Sequence, residues 1–521
     1  MYSLQKESAN LVFFCVLDKF SDNKKCFLTF KYFIYIYIST NYIAFYFSII
    51  ILVSDAISFF LRIFAFSFLN FSTMILIHVP RLTNRLGYTL NVIFRNILRI
   101  DFQITADIKL FDSHIGPKFS YGTQKIGDAP FIRCCDILFE TSIEEQTPKP
   151  FSFNDTIALF PVYNQASAFP FDPFAASFYC ISRYEEYLPH FNDIHGRFPA
   201  TESLAFKEKF LNQAVVDRWA LMIAQMLGDS FEEFEIPVHP FDVEDSIDID
   251  AAYCYRHKGF LRTLTGVGRD LFATHDIELV RKRFKVLTHK APDPFDSFDY
   301  ILDVHKRYPW MKLKFFPLMA DYNVNDKPIS YQNSEFRLLL QHLGDYAKMG
   351  LHASYSSHDN PSLITTEKER LEAVLHRRTV RNRYHFLRLS LPQSYNALMD
   401  NGILHDYTMG YADETGFRAG TGTPYHFFDL ESDCETPLTI HPFVAMDSTF
   451  YFYKKYTAKQ AETAYKQLID ECKLVGCRLS LLWHNQSLCE EFGWKGWREV
   501  YENVLAYADE VRKKDRQSNN Q

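Results

Sequence analysis

The cysteines of this chain lack any pairing signature. Cys15, Cys26, Cys134, Cys135, Cys180, Cys254, Cys434, Cys472, Cys477 and Cys489 form no CxxC and no zinc-finger spacing. That excludes a thiolate zinc module and a redox dithiol. Thiols scattered through 521 residues read as reduced core residues, so a reducing compartment is expected. A surplus of positive charge is missing too. Lys and Arg number 56 against 63 Asp and Glu, a net charge of −7, which leaves no electrostatic footprint for nucleic acid. Residues 74–240 contain neither a glycine-rich nucleotide loop nor a nucleophile elbow. Aromatic residues are plentiful: 50 Phe and 31 Tyr, which suits either a sugar substrate or a large core.

The first 73 residues differ from the rest. Tyr32 to Ser54 is a run of 23 residues without a charge, long enough to span a bilayer. Lys19, Lys24, Lys25 and Lys31 precede it and Arg62 follows, so the positive-inside rule leaves the N-terminus in the cytoplasm. Residues 1–73 therefore read as a signal anchor, or as an extension outside the functional chain. In the second case the protein starts near Met74 and is cytoplasmic; in the first it is membrane-anchored.

From Met74 the pattern changes. Ile75–Val79 predicts a strand and Thr83–Leu98 a helix. Asp172 and Pro173 predict a helix start, since Asp caps and Pro suits the first turn. That helix is expected to run towards Leu188, and another to cover Asn212–Leu227. Residues 74–240 thus predict a compact α/β domain.

Residues 241–513 alternate strands and helices, which argues for a parallel sheet or barrel. Strands are expected to end at Asp248, at Met319 and at Tyr355, then at Leu389, at Asp406 and at Trp483. Helices are expected at Asp276–Leu287, Ser297–Arg307, Ser334–Met349 and Gln393–Asp400. A capping box at Thr366 and Glu369 predicts a further helix to Arg378. The last two are expected at Lys459–Leu474 and Trp497–Lys513, before a polar tail at 514–521. The gap between Asp250 and His352 implies an insertion near residues 254–310.

Polar residues gather at the strand ends. Asp248 and Asp250 stand two positions apart, and residues i and i+2 of a strand face the same way. His352, His385 with Arg388, Asp406 and His484 follow at later strand ends. In barrel enzymes that end carries the chemistry. Two converging carboxylates can bind a metal, or divide labour as base and ligand.

In order and setting, these motifs resemble the polysaccharide deacetylase superfamily, carbohydrate esterase family 4 and its relatives. Ser246-Ile247-Asp248-Ile249-Asp250 is similar to the opening acidic motif. Gly350-Leu351-His352-Ala353-Ser354 resembles the His-Ser/Thr metal motif. Leu387-Arg388 with Pro392, then Asp406-Tyr407-Thr408, is similar to the next two. Leu481-Leu482-Trp483-His484-Asn485 resembles the last. Ser182–Tyr187 and Gly416–Thr421 extend the likeness to a subgroup with an N-terminal α/β domain. The resemblance implies a distorted (β/α)7 barrel that removes acetyl groups from glycans with a divalent metal, expected to be zinc.

By the same resemblance, Asp248 is the expected base, His484 the acid, and Arg388 the residue that pairs with Asp248. Asp250 and His352 are expected metal ligands. The family's second motif has another His four residues on, but that position is Ser356 here, and His358 lies two residues further. His385 is the expected third ligand; His358 folding back is the alternative, and His385 packing against substrate or Tyr384 is the competing role. Asp406, Tyr407, Arg418 and Trp483 are expected to contact a carbohydrate. Other open readings are a metal-free amidohydrolase of the same fold and an inactive glycan-binding barrel.

Overall fold

The computed structural model describes residues 74–272 and 275–518. The uncharged run 32–54 lies outside them. Among the described residues no helix is long and apolar enough to cross a membrane. The eight cysteines they include are all free thiols.

Four strands open the described chain: β1 (Ile75–His78), β2 (Phe102–Thr105), β3 (Lys118–Gly122) and β4 (Phe131–Arg133). They form one parallel sheet in the order β2-β1-β3-β4. β1 is buried at every position, as an apolar strand covered on both faces must be. A small hairpin, β5 (Phe151–Phe153) with β6 (Thr156–Ala158), follows. The helix Pro173–Ile181 starts as expected, with Asp172 accepting the Phe174 and Ala175 amides at 3.0 Å each. It stops short of Leu188, because Arg183 turns left-handed at φ 53° to bury its guanidinium on Glu186. The helix expected at Asn212–Leu227 spans Val215–Ser230.

The remaining strands are β7 (Asp242–Ile249), β8 (Lys312–Pro317), β9 (Lys348–Met349), β10 (Leu351–Ala353) and β11 (Arg381–Tyr384), then β12 (His405–Asp406), β13 (Tyr425–Asp429), β14 (Cys434–Ile440), β15 (Ala445–Met446) and β16 (Arg478–His484). They make two sheets, β15-β16-β7-β8-β9 and β10-β11-β12-β14-β13, parallel except for the β13–β14 hairpin. Two segments pass from one sheet to the other. β9 and β10 are separated only by Gly350, and a bridge joins Leu318 to His352. A Cβ at Gly350 would lie 2.4 Å from Phe316, so only glycine allows that crossing. At the other seam β14 pairs with β12, and the same chain continues into β15, which pairs with β16.

Alternation along β7 and β16 decides what each layer receives. Val243, Ile247 and Ile249 join the apolar core beneath the helices, as do Leu479, Leu481 and Trp483. Glu244, Ser246 and Asp248 take the other face, where Glu244 pairs with Lys314 in full burial. Phe94 and Trp219 belong to the same core cluster as Ile247 and Trp483, so residues 74–240 and 241–513 share one core.

Several local expectations are corrected. The helix from Ser334 ends at Tyr346, because Lys348–Met349 pairs with β8 as a strand. Thr366 and Glu369 are internal to a helix that runs Ser362–Leu375, so their capping box is unused. The strand expected at Tyr384–Leu389 ends at Tyr384; Phe386 and Leu387 turn left-handed at φ 61° and 55°. The helix Gly259–Phe272 and the β13–β14 hairpin were not anticipated.

A candidate metal centre

Strand register sets the level of the site. Asp248 on β7 lies beside His484 on β16 and Phe316 on β8, and His352 on β10 lies beside Arg383 on β11. Asp250 follows the end of β7, and His385 follows the end of β11. Asp250, His352 and His385 each offer one donor atom, and these atoms all lie within 4.8 Å of one another.

Each imidazole is oriented from behind. His352 Nδ1 lies 2.9 Å from the Arg383 carbonyl, which can only accept, so Nδ1 carries the proton. Its Nε2 is left facing Asp250 Oδ1 at 3.3 Å and Asp248 Oδ2 at 3.6 Å. His385 donates from Nδ1 to Asp326 at 2.8 Å and turns Nε2 to Asp250 Oδ1 at 3.6 Å. An outward N–H on a carboxylate or carbonyl is the usual way a ligating imidazole is fixed. His352 Nε2 and Asp250 Oδ1 are buried with no aligned hydrogen-bond partner among the described residues. Two imidazole nitrogens and a carboxylate oxygen suit a divalent ion such as zinc, so the residues fit the group.

Electrostatics follow from the same contacts. Burial works against charge on His385, but Asp250 and Asp326 outweigh it and raise its pKa to about 9. Burial would raise the Asp250 carboxyl; His385 and His484 beside it hold it well below the usual range. Asp326 meets the same opposition, and the His385 and Asn323 hydrogen bonds bring it to about 2.

Two further groups flank the cluster. Asp248 is buried, and its Oδ1 accepts from Arg383 Nη1 at 2.7 Å. Arg383 is anchored in turn on Ser246 at 2.8 Å and on the Tyr407 carbonyl at 3.0 Å. His484 Nδ1 donates to Asp447 at 2.7 Å, and Asp447 also takes the His484 amide at 2.7 Å. His484 Nε2 stands 3.9 Å from Asp250 Oδ2. Burial again opposes charge, but Asp447 and Asp250 push the His484 pKa up to about 10.

The expected partner of Asp248 is corrected. Arg388 does not reach it. Arg388 pairs with Asp359 at 2.7 Å and donates to the carbonyls of His195 and Tyr355, because the left-handed turn at Phe386 and Leu387 carries it away from the cluster. Arg383 takes that place. His358 also stays away, bonded to Ser390 at 3.1 Å. Ser356 serves behind the cluster instead: its Oγ lies 3.3 Å from Asp326, which also takes the Tyr355 amide at 2.8 Å.

Asp406, Tyr407, Arg418 and Trp483, expected to contact a carbohydrate, are all buried among protein partners. Trp483 alternates with His484, so it faces the helices and stacks on Tyr465 at 5.2 Å. Tyr407 stacks on His441 at 4.3 Å. Asp406 is consumed by Thr408 and Asn382. Arg418 clamps Glu186 with bonds of 2.9 and 2.7 Å, joining the two halves of the chain.

Sequence reasoning missed Asp326, Arg383 and Asp447. Arg383 carried a signal, since it stands two positions before His385. Residues 74–240 also reach the site's edge: Arg197 donates to the Phe386 carbonyl at 2.7 Å and His195 packs on the Phe386 ring at 5.1 Å.

Residues 75–232 match a family of unknown function, DUF7033, which spans less than half of the chain. No curated protein matches the sequence. Among solved structures, a Mycobacterium smegmatis protein assigned as a polysaccharide deacetylase is similar at 15% identity; the match covers 54% of this chain and 95% of that one, with a TM-score of 0.32. The polysaccharide deacetylase Bc1974 of Bacillus cereus is similar at 10% identity, over 51% of this chain and 87% of that one, with a TM-score of 0.23. At these scores the likeness carries no functional weight.

Proposed function

We propose that this protein is a metal-dependent hydrolase that removes acetyl groups from a polysaccharide or amino sugar. The observation that carries the proposal is the convergence of Asp250, His352 and His385 within 4.8 Å, with both outer imidazole nitrogens already engaged. The strand pairings support a seven-stranded barrel over residues 241–513, with β9–β10 and β14–β15 as the segments that cross its seams. Residues 74–240 form the α/β domain that braces the turn after β11.

A divalent cation held by Asp250, His352 and His385 would supply Lewis-acid activation of water. The chain supplies the proton traffic. Asp248, fixed by Arg383, takes the proton of the attacking water. Asp447 beside its Nδ1 favours the protonated form of His484, which suits the donor to the leaving amine or hydroxyl. Asp447 keeps that ring in place while Nε2 gives up its proton. Asp250 faces His484 from the ligand side, so donor and ligands stay aligned.

The test is acetate release from acetylated oligosaccharides by the full chain, before and after chelation. Release that stops with chelator and returns with zinc supports the proposal. Release indifferent to chelator overturns metal dependence, and the absence of release from any acetylated glycan overturns the activity.

A further inference from the structure

A cleft of about 670 Å³ opens on the ligand cluster, with Asp250 and His385 among its lining residues. Its far lining comes from the inserted segment that carries the helices Gly259–Phe272 and Ile277–Leu287. Five cations line it, namely Lys258, Arg262, Arg269, Arg283 and Lys327, against the carboxylates of Asp250 and Asp270 alone. Both carboxylates are already engaged. Asp270 holds Arg283 at 3.0 Å and Arg269 at 3.4 Å, and Asp250 faces the histidines. Neither Lys258 nor Arg262 forms a salt bridge with a carboxylate among the described residues; Asp293 acts on Lys258 from outside the cleft lining. Arg262 gives one bond from each terminal nitrogen to the carbonyls of Pro328 and Lys327, which leaves three of its five N–H donors for a ligand, and it lies over the Tyr322 ring at 4.0 Å. The surplus is local, since the chain as a whole carries −7.

Cations gathered in a cleft repel one another and focus the field on whatever enters. Burial is the main cause that lowers the Lys258 pKa; Arg262 and Arg283 act in the same direction, and Cys254 and Asp293 oppose them. An anion relieves that crowding, and guanidinium suits the flat oxygens of phosphate or carboxylate. Tyr322 and Phe492, exposed at 57% and 45%, also line the cleft.

We infer that the cleft receives an anionic glycan: a phosphate or carboxylate on the substrate docks at Lys258 and Arg262 while the acyl group reaches the ligand cluster. This rests on the deacetylase reading of that cluster and names its substrate class.

The test compares three probes by calorimetry on the full chain: neutral N-acetylglucosamine, its 1-phosphate, and a disaccharide of glucuronic acid and N-acetylglucosamine. At least one anionic probe is expected to bind tenfold or more tightly than the neutral sugar, with the advantage falling as salt rises. Joint Lys258→Met and Arg262→Met replacement removes the advantage and keeps the apolar stems. If the double variant melts early, Lys258→Met alone is expected to lose part of it and Lys258→Arg to keep it. Which anionic probe wins separates phosphate from carboxylate. Equal affinities, no binding by any probe, or an advantage that survives the substitutions would overturn the inference. Acetate release is followed in parallel: selective binding without release removes the hydrolase and leaves the anion site standing.

Discussion

Asp326 accepts the Nδ1 proton of His385 at 2.8 Å, which ties the loop after β8 to the turn after β11. The same carboxylate takes the Tyr355 amide, so it also holds the start of the turn after β10. Removing its charge leaves His385 without a fixed orientation. Asp326→Asn is expected to weaken metal affinity by about 10–100-fold, measured by competition with a chromogenic chelator. Asp359→Asn, which disturbs Arg388 and His358 but no residue of the ligand cluster, is expected to leave that affinity unchanged.

Asp248 and His484 are the proposed base and acid. Asp248→Asn or His484→Ala is expected to cut turnover by ~10²–10⁴-fold, while metal content stays at the wild-type level. Acetate release and metal analysis on the same samples check both halves. Unchanged turnover in both variants would remove the assignment.

Glu186 bonds Arg183 within its own half of the chain and Arg418 in the other half. It is buried, which would raise its pKa, but the two guanidiniums bring it down to about 2. A depressed carboxyl stabilises the folded chain above its unfolded pKa and loses that contribution as pH falls towards the folded value. The melting gap between wild type and Glu186→Gln is therefore expected to be full near neutrality. It should close as pH drops from about 4.3 towards the folded value. Breaking a buried pair costs ~3–5 kcal/mol, large enough to read by thermal unfolding.

Trp483 separates structure from binding. It stacks on Tyr465 and packs edge-on against Tyr501 at 5.1 Å, with no exposed surface. Trp483→Ala is expected to cost ~3–5 kcal/mol of stability, while KM for an acetylated glycan stays near wild type in the folded fraction. A raised KM with unchanged melting would return Trp483 to the substrate.

Much of this was legible in the strand ends. Apolar runs closing on Asp248, His352 and His484 gave the level of the site, because parallel strands deliver their last residues to one rim. The helix Gln393–Asp400 stands where its pattern placed it. What failed had local causes. Asp447 follows the two-residue β15, too short for a period-2 pattern to register. Asp326 sits in a polar loop where nothing marks it from its neighbours. Arg388 drew attention through its motif, yet the left-handed turn at Phe386 that redirects it leaves no trace in composition. Trp483 and Asp406 adjoin strand ends, but both are fully buried, and Trp483 has the parity of the core-facing residues of its strand.

The most direct measurement is the divalent metal content of the full chain beside His352→Ala, His385→Ala and His358→Ala, each purified alike and loaded with zinc. Stoichiometric metal is expected in wild type and His358→Ala, and loss from His352→Ala and His385→Ala alike. Full occupancy in His385→Ala would contradict it.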